Sequence, residues 1–264
     1  MSSRTTSYSD GNVLCSIWIH QFNTIHLTNI LKEFDGFLVR RISQSSQLIV
    51  LLSRHFMNRN HQHRMTNRRF MGGVDVIVLA AGRSSRLGQP KALVDVDGRP
   101  LVSHLIQRLQ RINDVEITIV TNNDILADVY LACPATNVVL NPDPEKGRTG
   151  SIQCGLSSIL ERKGRLPNPV LIVPVDRPGW SVDIATRLIA SSATSSPVWE
   201  GRGGHPLLIA GDDVNTVYLA DSNAPLSSLI EREKLDVDFP FLHLNIDTEA
   251  DLAELFLAAK EDWF

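Results

Sequence analysis

Residues 74–91 read VDVIVLAAGRSSRLGQPK, and this stretch decides the fold. Val76 to Ala81 form an apolar, largely β-branched run that empties into Gly82 and then into a segment carrying Arg83, Arg86 and Lys91. Such a run, punctuated by glycine, predicts a buried strand followed by a loop. No acidic residue lies between Gly82 and Val94. A buried strand that ends in a glycine-opened cationic loop suits phosphate binding, because glycine lets the backbone approach closely while amides and cations face the anion. The competing reading is a surface turn with solvated cations. The spacing matches neither G-x-x-x-x-G-K-[ST] nor G-x-G-x-x-G, which weakens the P-loop hydrolase and dinucleotide dehydrogenase readings together.

Downstream of this stretch, β and α signals alternate, which predicts a parallel or mixed sheet covered by helices on both faces. Ala92 to Val96 reads as a short strand before a turn at Asp97-Gly98, and the apolar spacing of Leu101, Leu105, Ile106 and Leu109 predicts a helix over 101–111. Strands are expected at 115–121, 138–140 and 170–175, near Val198, at 206–210 and at 239–244. Helices are expected at 125–132, 151–162, 182–190, 213–220, 225–234 and 249–260. The run VLIVPV at 170–175 is apolar enough for a central strand, with Pro174 placed where no ladder amide is needed.

The 264 residues and 43% hydrophobic content suffice for one large domain or two small ones. The formal net charge of -3 conceals a split: residues 1–70 hold 9 Lys/Arg against 3 Asp/Glu, and residues 71–264 hold 17 against 26. So acidic a body is a poor nucleic-acid binder, and the 82–91 cations read as local anion recognition. Cys15, Cys133 and Cys154 are widely spaced and form no metal pattern, which points to a reducing, cytoplasmic compartment. No apolar run reaches the roughly 18 residues of a membrane span. Residues 1–70, with five of the eight histidines and the basic run HFMNRNHQHRMTNRRF, read as a separate extension. They are a disordered or targeting arm, an accessory helical segment, or residues upstream of a natural start at Met65 or Met71.

Two carboxylates stand out. Asp176 is the first polar residue after the 170–175 strand, and in an open α/β sheet such an end faces the ligand crevice. It could hold Mg²⁺, cap a helix, or stand as a salt-bridged Asp next to Arg177. Asp247, in NIDTEADL, has the first two of these readings, with Thr248 and Asp251 completing a box-like cap.

The segment LAAGRSSRLGQPKALVDVDGRPLVSHLIQRL closely resembles the amino-terminal motif of the MobA-like nucleotidyltransferases, and in particular their molybdenum cofactor cytidylyltransferase branch. The resemblance spans residues 74–258. It implies a Rossmann-like, three-layer, mostly parallel sheet of the nucleotide-diphospho-sugar transferase type over residues 71–264. It also implies Mg²⁺-dependent transfer of CMP from CTP to the phosphate of molybdopterin or molybdenum cofactor, with release of pyrophosphate. Leu79, Ala80, Ala81, Gly82, Arg83, Arg86 and Lys91 would bind the nucleotide, together with Thr149 and Ser151 of NPDPEKGRTGS. Lys91, Arg83 and Asp176 would be catalytic, Asp176 and Asp247 would hold the metal, and Gly204 and His205 of GRGGHPLLI would meet the acceptor. In the guanylyltransferase branch a glycine stands where this chain has Ala81, and the motif ends G-D-K-like instead of Gln89-Pro90-Lys91, so both positions favour CTP over GTP. The resemblance further implies transient contact with a molybdoenzyme or its chaperone. Two alternatives stay open: transfer to another phosphorylated small molecule such as a sugar or polyol phosphate, and a non-catalytic nucleotide-binding cofactor chaperone.

Overall fold

A computed structural model describes residues 73–264. The reading of residues 1–70 as an extension therefore lies outside the described residues. The first strand, β1 (Val74–Ala80), sits at the centre of the main sheet, between β4 (Val115–Thr121) and β6 (Val170–Pro174), and is parallel to both. Its side chains alternate between two apolar layers: Val76, Val78 and Ala80 join one core, and Ile77 and Leu79 the other. Both faces being buried explains the unbroken apolar run, in place of the polar alternation of a one-sided sheet.

On the first face lie α1 (Leu101–Leu109), α2 (Leu126–Ala132), α4 (Val182–Ile189) and α7 (Asp251–Ala258). On the second lie α3 (Gly147–Lys163), α5 (Asp213–Leu219) and α6 (Leu226–Leu229). The remaining strands are β5 (Asn137–Leu140), β7 (Ser195–Trp199), β8 (Arg202–Gly203), β9 (Leu207–Ile209) and β10 (Glu233–Asp236), and the sheet runs β10-β7-β9-β6-β1-β4-β5 with β8 on β7. β9 is antiparallel to both its neighbours, while β4, β5 and β10 pair in parallel. The result is the expected three-layer, mostly parallel architecture. A separate hairpin, β2 (Asp95–Val96) and β3 (Arg99–Pro100), turns at Asp97-Gly98 as expected.

Several elements differ from their sequence reading. The strand expected over 239–244 is a 3-10 turn, Pro240–His243, because Pro240 lacks the ladder donor and fixes a helical φ at its start. The helix expected over 225–234 ends at Leu229, and its second half is instead β10, paired with β7. At the front of the expected 92–96 strand is a 3-10 turn, Lys91–Leu93. The helix α3 begins at Gly147, four residues before the expected start, so Thr149 and Ser151 lie inside its first turns. Within those turns a Cβ on Gly150 would stand 3.1 Å from Lys146 Cβ and 3.5 Å from Ser222 Cβ. Further along, Gly155 lets α3 lie close on β1: a Cβ there would stand 2.8 Å from the Ile77 Cδ1 and Cγ2 atoms.

Candidate active site

The β1 strand delivers the chain to residues 82–91, and local hydrogen bonds fold that segment back on itself. The Leu87 amide donates to the Ser84 carbonyl, and the Lys91 amide donates to Ser84 Oγ at 3.0 Å. Ser84 and Gly88 both have positive φ, which lets the ten residues reverse direction. At its start the loop is tied to β4, since Asn122 Nδ2 donates to the Ala81 carbonyl at 3.1 Å. A Cβ on Gly82 would meet no protein atom within 4 Å, so no protein neighbour demands a glycine there. The open side faces the cleft, where a close-approaching ligand is the remaining reason for it.

The returning loop places Lys91 Nζ 2.5 Å from Asp247 Oδ1 and 3.4 Å from Asp176 Oδ2. Asp176 follows β6, the neighbour of β1, and the Val175 amide donates to the Leu79 carbonyl to extend that pairing. Asp247 comes from a distant segment brought alongside by one backbone bond, Ile246 amide to Asp176 carbonyl, at 2.9 Å. Asn245 Nδ2 donates to Asp247 Oδ2 at 2.7 Å, and Arg86 lies 3.3 Å from the same oxygen. The Lys91 ammonium, followed by the Asn245 amide, pulls the Asp247 carboxyl down to about 2, so it is ionised at neutral pH.

Asp247 does not cap the last helix, as one reading had it. The acceptor is Asp251, whose Oδ2 takes the amides of Asp247 and Thr248 and the Thr248 hydroxyl. Asp247 is thereby left free to face Lys91. The segment 176–180 is likewise held from behind. Arg108, fully buried on α1, donates through Nη1 to the carbonyls of Pro178 and Trp180 at 2.8 and 2.6 Å. Gly179 presses so close to the Pro240–His243 turn that a Cβ would stand 1.8 Å from the Phe241 carbonyl oxygen.

These residues enclose a cleft of about 350 Å³ lined by Leu79 to Arg86, Lys91, Gly147, Arg148, Ser151, Asp176 and Asp247. The structure thus brings together most of the residues singled out in the sequence: Leu79, Ala80, Ala81, Gly82, Arg83, Arg86, Lys91, Ser151, Asp176 and Asp247. Arg83 sits at the rim, exposed and paired with Glu145 at 2.8 Å. Ser151 Oγ donates to the Gly147 carbonyl and accepts from Asn141 Nδ2. Thr149 does not line the cleft, and its hydroxyl donates to the Ala224 carbonyl at 2.7 Å, bracing α3 against the 221–224 turn. Ala81 is buried in the same apolar cluster as Leu79, Val120 and Ile152 while also lining the cleft.

Gly204 and His205 lie outside this lining. Gly204 packs on Leu242, where a Cβ would come within 2.5 Å, and its amide donates to the Pro197 carbonyl. His205 precedes a cis proline, Pro206, and its Nδ1 is buried with no partner. Burial, then the charges of Arg148, Arg177 and Arg232, hold its pKa to about 3. Among the described residues the other two histidines are structural: His104 pairs with the Val96 carbonyl and His243 with the Trp199 carbonyl.

Two carboxylates already converging on one cation make a hard oxygen donor set that suits Mg²⁺ or Mn²⁺, whose remaining positions substrate phosphates and water would fill. Among the described residues no group of three or more acidic, His or Cys side chains surrounds a common point. The pair therefore fits a metal shared with a phosphorylated ligand better than an all-protein cage. Arg108 and Asn122 were not legible as site supports, because each acts through backbone partners far away in sequence; Asp251, close to Asp247 in sequence, was already read as part of a cap.

A family model described as the MobA-like NTP transferase domain matches residues 76–237, more than half the chain. Asp247 lies beyond the matched segment. The chain is 28% identical over 209 residues to a molybdenum cofactor guanylyltransferase of Rhizobium meliloti, covering 70% of this chain and 93% of that protein. Among solved structures it is similar to a nucleotidyl transferase from Methanothermobacter thermautotroptrophicus, at TM-score 0.58 and 18% identity over 71% of this chain and 98% of that one. It is similar also to the manganese complex of Rv0371C from Mycobacterium tuberculosis, at TM-score 0.55 and 17% identity over 70% and 99%.

Proposed function

The chain belongs to the MobA-like NTP transferase family and is a nucleotidyltransferase, and from that premise we propose that it transfers a nucleoside monophosphate from an NTP to the phosphate of molybdopterin or molybdenum cofactor. The observation that carries this reading is the meeting of Lys91 with both Asp176 and Asp247 beneath the glycine-opened loop. An oxygen of the acceptor's phosphate attacks the α-phosphorus of the NTP, a P–O bond forms, and the bond to the β-phosphate oxygen breaks with its electron pair leaving on pyrophosphate. Neither partner becomes bonded to the protein. What the chain contributes is position and charge.

In this reading the backbone of 80–82 approaches the triphosphate, and Arg83, Arg86 and Lys91 neutralise it. Asp176 and Asp247 would hold a divalent cation, Mg²⁺ by preference, which supplies charge neutralisation at the transferring phosphoryl group. The Lys91 ammonium, beside both carboxylates, would meet the non-bridging oxygens, where negative charge grows. Gly204 and His205 lie on the acceptor side, and Ser151 supports the turn over the nucleoside.

Two observations bear on the base. Gln89-Pro90 before Lys91 favours CTP, and this remains the first reading. Ala81, which both joins the apolar cluster and lines the cleft, points the same way. The curated relatives' names favour GTP as a second reading. The test is pyrophosphate release with CTP, GTP, ATP and UTP in the presence of molybdopterin and Mg²⁺. Acceptor-dependent release with CTP supports the first reading and with GTP the second. Release with neither excludes both.

A further inference from the structure

Within the cationic loop, Gly82, Arg83, Ser85 and Arg86 are exposed, whereas Ser84 between them is half-buried and Leu87 joins the apolar core. Ser84 has a φ of 52°, in the left-handed region that favours glycine. A side chain held there costs stability that a glycine would not. What glycine lacks is the hydroxyl, and that hydroxyl is used: Ser84 Oγ accepts the Lys91 amide at 3.0 Å, while the Ser84 carbonyl accepts the Leu87 amide at 3.1 Å.

The Lys91 amide opens the 3-10 turn Lys91–Leu93, and its N-cap residue, Pro90, makes no side-chain capping bond. The first amides of a helical turn find no partner within it, so Ser84 supplies from upstream what a cap would supply locally. Just downstream, Ala92 is buried in the core. Lys91 is thus held on both sides of its backbone. Its side chain, 14% exposed, runs to Asp247 Oδ1 at 2.5 Å and Asp176 Oδ2 at 3.4 Å. A hydroxyl that fixes the backbone at residue 91 also limits where the ammonium can stand. That matters for phosphoryl chemistry, in which a displacement of ~1 Å at a reacting group costs about a hundredfold in rate.

We infer that Ser84 is a positioning residue: through the Lys91 backbone, its hydroxyl sets the ammonium that meets the triphosphate. The role in turnover rests on the proposed nucleotidyl transfer, whereas the coupling of Ser84 to Lys91 can be read from binding alone.

The test is a double-mutant cycle on the full chain, read by calorimetric titration with inorganic tripolyphosphate and Mg²⁺. Ser84→Gly should weaken tripolyphosphate binding about five- to tenfold, on the order of one hydrogen bond. In the Lys91→Met background the same change should alter binding by less than about twofold, because the two residues act in series. Ser84→Gly should lower turnover about tenfold or more at saturating nucleotide, yet melt within a few degrees of the wild type, since relief of the positive φ offsets the lost bond. Ser84→Thr should do the reverse, melting lower because a β-branched residue fits the left-handed region poorly while keeping turnover within about threefold, the hydroxyl being retained. A merely structural serine would make turnover follow stability across the two variants. Equal weakening by Ser84→Gly in both backgrounds would assign the hydroxyl to loop closure or to the phosphates themselves and overturn the inference, as would a Ser84→Gly protein that binds like the wild type. A wild type that binds no tripolyphosphate overturns it together with the proposed reaction. The expected coupling in a protein that transfers no nucleotide would leave Ser84 assigned to Lys91 and refute the reaction alone.

Discussion

Arg108→Met removes the one side chain that ties the segment after Asp176 to the helix behind it. Arg108 is wholly buried, donates to the carbonyls of Pro178, Trp180 and Phe264, and lies 4.5 Å from the Trp180 ring centre, 5.1 Å from Trp263 and 4.7 Å from Phe264. Burial, and secondarily Arg111, lowers its pKa to about 9, which leaves it charged at neutral pH. Two effects oppose each other on substitution. Methionine no longer has to bury a charge and fits the aromatic cage, a change that is often neutral or stabilising. The carbonyls of Pro178 and Trp180, however, belong to the backbone and stay where they are, each then unpaired at a cost of ~1–3 kcal/mol. The cation–aromatic contacts, up to ~2 kcal/mol when desolvated, are lost as well. The orphaned acceptors prevail, for a net loss of about 3–4 kcal/mol. For a folded region of this size that lowers the melting temperature by about 6–16 °C. The assay is thermal and urea unfolding followed by tryptophan fluorescence. Arg108→Lys should recover only part of the loss, since a point charge cannot serve three carbonyls at once. A methionine variant within about 1 kcal/mol of the wild type would refute the reasoning, because three charge-assisted bonds cannot be that cheap to lose.

Three other outcomes follow from the same geometry. Lys91→Met should abolish turnover yet raise Mn²⁺ affinity in the absence of nucleotide about two- to fivefold, the ~0.5–1 kcal/mol of a partly exposed ion pair. Calorimetric titration measures it, and unchanged or weaker Mn²⁺ binding would contradict the carboxylate pair as the metal site. His205 has a folded pKa of about 3 against an ordinary 6.5, so the unfolded chain binds its proton first. Its contribution to stability is complete above about pH 6.5 and is lost as pH falls toward 3, at ~1.4 kcal/mol per pH unit. His205→Asn should flatten the stability profile between those limits, as urea unfolding over that pH range would register. Gly155→Ala should destabilise by ~1–3 kcal/mol through contact with Ile77, and Ile77→Val should recover part of that loss in the double variant. Strict additivity of the two single changes would rule out the contact as the cause.

The central layer of the fold was legible because its strands are buried on both faces and therefore unbroken in the sequence. The 76–81 and 170–175 runs fell on adjacent parallel strands, β1 and β6, and the residues just beyond them, Gly82 and Asp176, fell at one cleft. Less legible were segments shaped by tertiary pairing. Residues 233–236 form a strand because β7 offers a partner, although most of their side chains are exposed, so no apolar period marks them. Pro240 made the 239–244 strand untenable, a local signal that its apolar neighbours outweighed. At the site, the charged residues that face the cleft could be picked out, whereas their supports could not. Asn122 acts on the Ala81 carbonyl, and Arg108 reaches Pro178 and Trp180 across some seventy positions.

The most direct test of the whole account is acceptor-dependent pyrophosphate release by the wild type and by Asp176→Asn, measured with molybdopterin, Mg²⁺ and each of CTP and GTP. The wild type should release pyrophosphate only when acceptor is present, and Asp176→Asn should lose at least about a thousandfold in rate, as expected for removal of a group that positions charge at the reacting phosphoryl, while melting within a few degrees of the wild type. Release that survives the substitution in a folded protein would contradict the assignment of Asp176, and a wild type silent with both nucleotides would contradict the proposed reaction.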